Sequence, residues 1–280
     1  MNVRLWVCLL VVCGCSTDVF DSGDASTDGP VTDGTTKDVD GIPDAGGGDA
    51  TGDGGIQPFT CTPMQTNTIL CDDFESESVP GKPFTSADLY GGGALAFDTS
   101  SYVTPTHSVE FSVPTIDTAL AFADLLSEGT NVTTNGISLH ASLRVHQIDA
   151  TQPVPLMRLT YTAATEVGHV DFDVVAKAGS LSLDVFAPGD GGPLQTAAMF
   201  ALAPYTIDKW ITVRIDVMTA PQVSVAAYVD DAQVLSSKQV VVPAPTSGDT
   251  IRDAYIGVIF LQSSSVETIV DFDDFLFRGI

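Results

Sequence analysis

The sequence predicts an all-β fold, an antiparallel jelly-roll β-sandwich, preceded by a disordered Asp/Gly-rich tether. Apolar and polar residues alternate in runs such as 137–145, 181–186 and 223–229, which is typical of strands with one buried face. Clusters of Pro, Gly and Asp separate these runs and indicate tight turns. The folded stretch, 59–280, is too long for a seven-stranded immunoglobulin-type sandwich and fits a jelly roll of a dozen or more strands.

The first residues, 1–14, form a short apolar leader that is typical of a signal peptide. Its end is similar to the lipobox of bacterial lipoproteins, with Val12 at the aliphatic position, Gly14 before the cut and Cys15 at the modified position. The resemblance implies that Cys15 carries fatty acyl chains such as palmitate and holds the protein at a membrane. Ser16, rather than Asp, follows, which by the same resemblance favours the outer membrane of the cell envelope. The alternative is an ordinary cleaved leader with an incidental cysteine.

Residues 15–58 form the predicted tether. This stretch holds ten aspartates, many Gly and Thr, and almost no large apolar side chains. It cannot bury enough surface to offset the entropy of ordering, so we expect a solvated coil. Within it, DVDGIPD at 38–44 resembles one copy of the thrombospondin type 3 calcium repeat. A single copy brings few oxygen ligands together, so a plain linker is the favoured interpretation.

The charge balance excludes one large class of function. The 280 residues carry 36 Asp and Glu against 11 Lys and Arg, a formal charge of -25. A nucleic-acid binder is excluded, because Lys and Arg are the residues that hold a phosphate backbone. The hydrophobic fraction of 44% excludes a wholly disordered acidic protein. Beyond the leader, no apolar run reaches the roughly 20 residues of a membrane-spanning helix.

Two cysteines remain outside the leader and the lipid site. Cys61 and Cys71 stand ten residues apart at the start of the folded stretch. In an exported protein such a pair predicts a disulfide bond, worth about 2–3 kcal/mol by the loop-entropy model. A metal site at this pair is disfavoured, because the sequence places no Cys or His companion nearby.

One segment departs from the strand pattern. Residues 118–127 place Ala, Leu and Phe at mixed spacing, which makes them the single helix candidate of the folded stretch. One short helix leaves the predicted fold class unchanged.

Four short motifs resemble those of concanavalin A-like jelly rolls, the family of laminin-G, lectin and glucanase domains. They are DKWITVRI at 208–215, VAAYVDDAQV at 225–234, CDDFE at 71–75 and DFDDFLF at 271–277. The last two are similar to the opening and closing strands of that family, which lie side by side. The resemblance covers most of 59–280 and implies the fold, whereas function does not follow from fold alone.

The same resemblance brings acidic side chains of the opening and closing strands together, namely Asp73, Glu75, Asp273 and Asp274. Carboxylates on neighbouring strands repel one another unless solvent or a cation lies between them. A structural Ca²⁺ bound by these four residues is one hypothesis, with Glu75 and Asp273 as the leading ligands by resemblance. Ordinary solvated carboxylates and turn caps are the other.

The sequence offers one weak catalytic candidate. Alternation puts His169, Asp171 and Asp173 on one face of a strand, as in the alternating-carboxylate strand of jelly-roll glucanases, but both glutamates of that motif are missing. The favoured interpretation is a solvated outer face, with Val170 and Phe172 inside. The alternative is a polysaccharide hydrolase or lyase that uses these three polar residues. The remaining histidines are expected at the surface: His107, His140 and His146.

Glycan binding is suggested more by the fold than by particular residues. Sugar sites offer exposed aromatic rings beside polar groups. Tyr90 and Tyr102 are the aromatic candidates because they stand in loop-like stretches, whereas Trp210 is expected in the core. The preferred hypothesis is a lipid-anchored envelope protein that binds an extracellular glycan or surface partner without catalysis. Polysaccharide cleavage and a structural role without a soluble ligand are the alternatives.

Overall fold

A computed structural model describes Cys61 and the ranges 67–117, 120–129, 134–162, 168–189, 193–243 and 252–280. All of these belong to the compact unit Gly52–Ile280. The predicted leader, the lipidation site at Cys15 and the predicted tether lie outside the described residues and stay predictions. None of the described residues belongs to a helix that could span a membrane.

The described residues form β-strands joined by turns and loops. In chain order the strands are β1 (Thr68–Asp72), β2 (Ser86–Tyr90), β3 (Ala94–Asp98), β4 (Ser108–Val113), β5 (Ala121–Gly129), β6 (Gly136–Gln147), β7 (Val154–Thr162), β8 (His169–Lys177), β9 (Ser180–Pro188), β10 (Leu194–Pro204), β11 (Trp210–Met218), β12 (Ser224–Val229), β13 (Ala232–Gln239), β14 (Arg252–Leu261) and β15 (Thr268–Gly279).

The strands build two antiparallel sheets. The eight-stranded sheet has the order β13-β12-β11-β6-β15-β4-β3, with β1 also paired to β15. The seven-stranded sheet has the order β10-β9-β8-β7-β14-β5-β2. One buried apolar cluster draws side chains from both sheets, so the sheets pack face to face as a sandwich. This confirms the predicted all-β antiparallel β-sandwich.

Alternation along the strands sorts side chains between the core and the outer faces. In β6, Leu139, Ala141 and Leu143 are fully buried in the core. The residues that alternate with these three, including His140 and Arg144, point to the opposite face of the sheet. The period of two read from the sequence at 137–145 therefore predicts both the strand and its buried side.

The helix expected over 118–127 is wrong. The described residues from 121 onward form β5, which lies between β14 and β2. Ala123 and Leu125 face the core, and Asp124 and Leu126 lie on the outer face in register with β14. Pairing with a strand on each side outweighs the helix propensity of Ala and Leu.

The turn predicted at Asp230-Asp231 joins β12 to β13 as a two-residue hairpin. Both residues have positive φ, 48° and 62°, a conformation that Asp tolerates better than most residues. The side chain of Asp230 also accepts the backbone N–H of Thr212 at 2.9 Å, which ties the hairpin to β11.

The opening and closing strands lie side by side, as the resemblance implies. β1 pairs antiparallel with β15, and Asp72 stands opposite Phe275. A disulfide joins Cys61 to Cys71 near the end of β1, with the two Cα atoms 5.6 Å apart. The start of the folded unit is therefore tied to the strand that completes it.

Candidate functional site

The outer face of the seven-stranded sheet, called the polar face below, collects polar and aromatic side chains. Residues that are paired across neighbouring strands and lie opposite the core side share this face. Its members are Asp88 and Tyr90 of β2, Phe122 and Asp124 of β5, Asp253 and Tyr255 of β14, Arg158 and Thr160 of β7, His169, Asp171 and Asp173 of β8, and Asp184 of β9.

Arg158 lies at the centre of the polar face and is held by two carboxylates. Its Nε and Nη2 each donate at 2.7 Å to the two oxygens of Asp173, a bidentate pair. Its Nη1 lies 3.7 Å from Oδ2 of Asp171. Asp171 also accepts the Thr160 hydroxyl at 2.7 Å and lies 3.3 Å from Nε2 of His169. The group forms one connected network over β7 and β8.

The solvated outer face expected around 171 and 173 is wrong. Asp171 and Asp173 are each 1% exposed, although Val170 and Phe172 do face the core as expected. The register explains the difference, because it sets Arg158 directly opposite Asp173 on the neighbouring strand. The guanidinium then pairs with the carboxylates and takes the place of solvent around them.

The titration of this network follows from its contacts. Burial opposes the charge of Asp171, but the Arg158 guanidinium and the His169 ring outweigh it and hold the pKa of Asp171 below its ordinary value. The hydrogen bond to Asp171 raises the pKa of His169. His169 is the solvent-facing member of the predicted trio, with 34% of its side chain exposed. The structure therefore brings His169, Asp171 and Asp173 onto one face, as alternation predicts.

A second carboxylate pair stands toward the β2 edge of the polar face. Asp124 of β5 faces Asp88 of β2 across the sheet and is 5% exposed. Burial and the neighbouring Asp88 raise the pKa of Asp124 to about 8. Tyr255 lies between this pair and Arg158, and burial raises the pKa of its hydroxyl above the ordinary range. Asp124 can therefore donate a hydrogen bond at neutral pH, whereas Asp171 accepts.

An aromatic platform completes the β2 edge. Tyr90 is 57% exposed and stacks on Phe122, with ring centroids 5.5 Å apart and planes 20° from parallel. After Tyr90 the chain turns through Gly91 and Gly92, both at positive φ, into β3 of the other sheet. A Cβ at Gly91 would come within 2.7 Å of a backbone oxygen, so this close turn requires glycine.

The second aromatic candidate lies elsewhere. Tyr102 belongs to the loop between β3 and β4, both in the eight-stranded sheet, and is 36% exposed. The expectation that Trp210 lies in the core is wrong. Trp210 is half-buried on the outer side of β11, where its ring N–H donates to the Ser101 hydroxyl at 3.0 Å. The structure thus separates Tyr102 from Tyr90 and groups it with Trp210.

Three of the four predicted calcium ligands hold the loop between β3 and β4. Asp273 accepts the backbone N–H groups of Val103 at 2.7 Å and Thr104 at 2.9 Å. Asp274 accepts the Thr104 hydroxyl at 2.6 Å. Glu75 accepts backbone N–H groups of the same loop, from Thr106 and His107. The fourth, Asp73, instead accepts the N–H of Glu75 at 3.3 Å within its own turn.

The ligand atoms of this arrangement are oxygens, the type of donor that calcium prefers. The carboxylates of Glu75, Asp273 and Asp274 are hard oxygen ligands, and each carboxylate oxygen has lone pairs beyond the one used by an N–H donor. Several of the oxygens are nevertheless engaged in holding the loop, so the same contacts also explain these residues as caps. Calcium stays a prediction.

The remaining histidines, expected at the surface, are each half-buried. His140 lies on the outer side of β6, where burial and the nearby Arg214 lower its pKa to about 4. His146 contacts a carboxylate at each ring nitrogen, Asp208 at 2.7 Å and Asp271 at 2.5 Å. His107 is half-buried, with its ring edge against Phe97 at 4.2 Å between centroids.

Sequence reasoning did not single out several members of the polar face, among them Arg158, Phe122 and Asp124. Arg158 stands in an alternating strand-like run, so alternation could have placed it on an outer face. Phe122 and Asp124 were hidden by the helix assignment of their segment. Strand order and register decide which outer-face residues meet, and a local sequence pattern contains neither.

No protein-family model matches the sequence, and no curated protein matches it. The fold resembles solved structures. An endo-β-1,4-glucuronan lyase from the fungus Trichoderma reesei is 10% identical, with a TM-score of 0.57 over 71% of this chain and 92% of that one. The cellulose-induced protein Cip1 is 13% identical, with a TM-score of 0.50 over 75% and 97%. The alginate lyase vAL-1 from a Chlorella virus is 8% identical, with a TM-score of 0.50 over 67% and 91%. At these identities the likeness shows a shared β-sandwich fold.

Proposed function

We propose that the polar face binds a neutral extracellular glycan without cleaving it, in a protein held at the cell envelope by a lipid on Cys15. The observation that carries the proposal is the exposed, stacked Tyr90–Phe122 pair beside a floor of fixed polar groups. Two proteins of similar fold, a glucuronan lyase and an alginate lyase, are named for polysaccharide substrates, which supports a glycan as the ligand class.

The two parts of the face suit the two sides of a sugar. The C–H face of a sugar ring stacks on an aromatic ring, and Tyr90 offers such a ring with more than half of its surface open. Sugar hydroxyls need both donors and acceptors held in place. Asp88 lies exposed at the edge strand and supplies an acceptor, whereas Asp124 beside it keeps its proton at neutral pH.

The charge of the face favours a neutral glycan over a uronate polymer. Carboxylates outnumber cations on the polar face, and the central cation, Arg158, is taken up by Asp173 and Asp171. A polymer with a carboxylate on every sugar would meet repulsion here and would have no available guanidinium to bind it. The formal charge of -25 on the whole chain adds to that repulsion.

The same pairing supports binding over catalysis. Asp171 and Asp173 are 1% exposed and satisfy Arg158, so neither can reach a glycosidic bond without breaking the network. A glycosidase needs two carboxyl groups that both contact the substrate, about 5–9.5 Å apart. Holding Arg158 rigid instead gives the binding face a fixed floor, which lowers the entropy cost of binding.

Retention on polysaccharides tests the proposal. The full chain is passed over neutral polymers (cellulose, mixed-linkage β-glucan, galactomannan and xylan) and over alginate and polyglucuronate. We expect saturable retention on at least one neutral polymer, with no soluble product. Tyr90→Ala should weaken it about tenfold, which is roughly 1.4 kcal/mol.

Tyr102→Ala is the matched control, because Tyr102 is also an exposed tyrosine but belongs to the other sheet. Equal loss in both variants, or retention only on the uronate polymers, would contradict the proposal. Lipid attachment is tested separately by mass spectrometry of the mature N-terminus, where an unmodified Cys15 would contradict the anchor.

Polysaccharide cleavage is the second candidate. It is favoured by His169, which is partly exposed, lies 3.3 Å from Asp171 and could exchange a proton at the surface of the face. Reducing-sugar release, together with the ultraviolet absorbance of unsaturated ends for a lyase, measures it. Product that disappears in His169→Gln, with the fold retained, would establish cleavage and replace the binding proposal.

A further inference from the structure

A second polar cluster lies on the outer face of the eight-stranded sheet. It consists of Asp98 at the end of β3, His146 near the end of β6 and Asp271 in β15. One donor atom from each lies within 4.8 Å of the other two. β4 and β15 separate β3 from β6 in the sheet, so the side chains converge from strands far apart in sequence.

Asp271 carries an unexplained buried oxygen. Its side chain is fully buried, and its Oδ2 lies 2.5 Å from Nε2 of His146. Its Oδ1 is buried and has no hydrogen-bond partner among the described residues. Leaving an acceptor of a carboxyl group buried and unpaired is costly, so this oxygen is suited to bind a cation.

His146 is held in the orientation that metal-binding histidines adopt. Its Nδ1 lies 2.7 Å from Oδ1 of Asp208. Metal-bound histidines usually donate their second ring N–H to a carboxylate, which fixes the tautomer and turns the other nitrogen toward the ion. With the proton on Nδ1 donated to Asp208, the lone pair of Nε2 points toward Asp271.

The charges around the cluster also call for a cation. Asp98, Asp208 and Asp271 meet there, and Glu110 of β4 faces Asp271 across the sheet. Arg144 contributes the nearby positive charge, with Nη1 3.9 Å from Asp271 and Nη2 3.8 Å from Asp208. One guanidinium does not balance these carboxylates, whereas a divalent ion nearly would.

We propose that Asp98, His146 and Asp271 bind a divalent transition-metal ion of the zinc class, and that Asp208 positions His146. A borderline imidazole together with two carboxylates suits Zn²⁺, whereas Ca²⁺ and Mg²⁺ prefer all-oxygen sites. Small side-chain rotations would bring the three donors to the roughly 3.5 Å spacing of a tetrahedral ion. Three protein ligands leave a fourth position, and the half-exposed Asp98 and His146 open it to solvent.

Zinc titration of the metal-stripped full chain tests the proposal by calorimetry. We expect one Zn²⁺ per chain above the weak background of the aspartates in 16–58, which every variant shares. His146→Gln should weaken that event at least tenfold, and Asp208→Asn by about ten- to a hundredfold, the range seen for groups that orient metal ligands. His169→Gln is the matched control, a partly exposed histidine beside a buried aspartate on the other sheet.

The outcomes separate cleanly. Loss of the one-to-one event in His146→Gln, with His169→Gln unchanged, supports the site. The proposal is overturned if wild type and His146→Gln bind zinc equally. It is also overturned if wild type shows no one-to-one binding with a dissociation constant below about 100 μM, which is a binding free energy of roughly 5–6 kcal/mol. Circular dichroism in EDTA shows whether each variant folds. The visible spectrum of bound Co²⁺, compared between wild type and His146→Gln, gives a second measurement of binding at the site.

Discussion

The two outer faces of the sandwich hold their arginines in different ways. On the seven-stranded sheet, Arg158 makes a bidentate pair with Asp173, which is 1% exposed, and also approaches Asp171. On the eight-stranded sheet, Arg214 lies 3.7 Å over the ring of Tyr228, and its Nε is 3.5 Å from Asp216. Both side chains are partly exposed, with 23% and 30% open to solvent.

The difference lies in the partners. The carboxylates beside Arg158 have lost their water and depend on the guanidinium, whereas Tyr228 needs no charge to stay where it is. The first arrangement fixes several strands into a rigid polar floor, which is what a binding face needs. The second adds little beyond packing. Substitutions at the two arginines should therefore differ greatly in cost.

Arg158→Ala has the largest expected effect. It leaves Asp171 and Asp173 buried without their cation, so the free energy of unfolding should fall by about 3–5 kcal/mol. Urea denaturation at pH 7 measures it. Arg158→Lys keeps the charge but loses the bidentate geometry and should fall between wild type and Arg158→Ala. A loss below about 1 kcal/mol in Arg158→Ala would break the contrast between the faces.

Removal of divalent cations should come next. If Glu75, Asp273 and Asp274 hold Ca²⁺ against the β3–β4 loop, excess chelator lowers the melting temperature. An ion bound at a hundred times its dissociation constant contributes about 2.7 kcal/mol to stability. Calcium added back should restore the melting temperature. If chelation leaves the melting temperature unchanged, these residues only cap the loop.

The pH dependence of stability sharpens the account of Asp124. Its folded pKa of about 8 lies above the unfolded value of 3.8, so the native state keeps a proton that the unfolded chain releases. The free energy of unfolding should therefore fall as pH rises between about 4 and 8, by at most about 1.4 kcal/mol per pH unit from this group. Asp124→Asn should flatten that slope. Asp117→Asn, at an exposed position after β4, is the control variant.

The smallest effect is expected on the eight-stranded sheet. Arg214→Ala removes the contact with the Tyr228 ring and an ion pair with Asp216, both partly exposed, and should cost about 1 kcal/mol or less. Urea denaturation of Arg214→Ala and Arg158→Ala under the same conditions compares the loss of unfolding free energy on the two faces. A cost for Arg214→Ala equal to that for Arg158→Ala would remove the distinction.

The fold was predictable because each of its signals is local. Alternation at 137–145 identifies β6 and its buried side, and the Asp230-Asp231 pair marks its hairpin. Local signals failed at 118–127, where Ala and Leu favour a helix but strands on either side impose β5. Composition alone cannot weigh tertiary pairing against propensity.

The candidate sites were less predictable because they depend on register. In the sequence, nothing distinguishes Asp171 and Asp173 from other outer-face aspartates. Only the register shows that Arg158 lies opposite Asp173. His146 and Asp271 stand 125 residues apart, and only the β6–β15 pairing brings them together. Sequence gives the face that each side chain takes within its strand, and the neighbours across the sheet come only from the topology.

Hydrogen exchange with a bound neutral oligosaccharide, taken from the polymer that retains the protein best, tests the central claim most directly. A glycan on the polar face should slow amide exchange in β2, β5 and β14, around Tyr90, Phe122 and Tyr255. Exchange in β3, β4 and β11 should stay unchanged. Protection confined to β3, β4 and β11, where Tyr102 and Trp210 lie, would contradict the account and move the binding site to the other sheet.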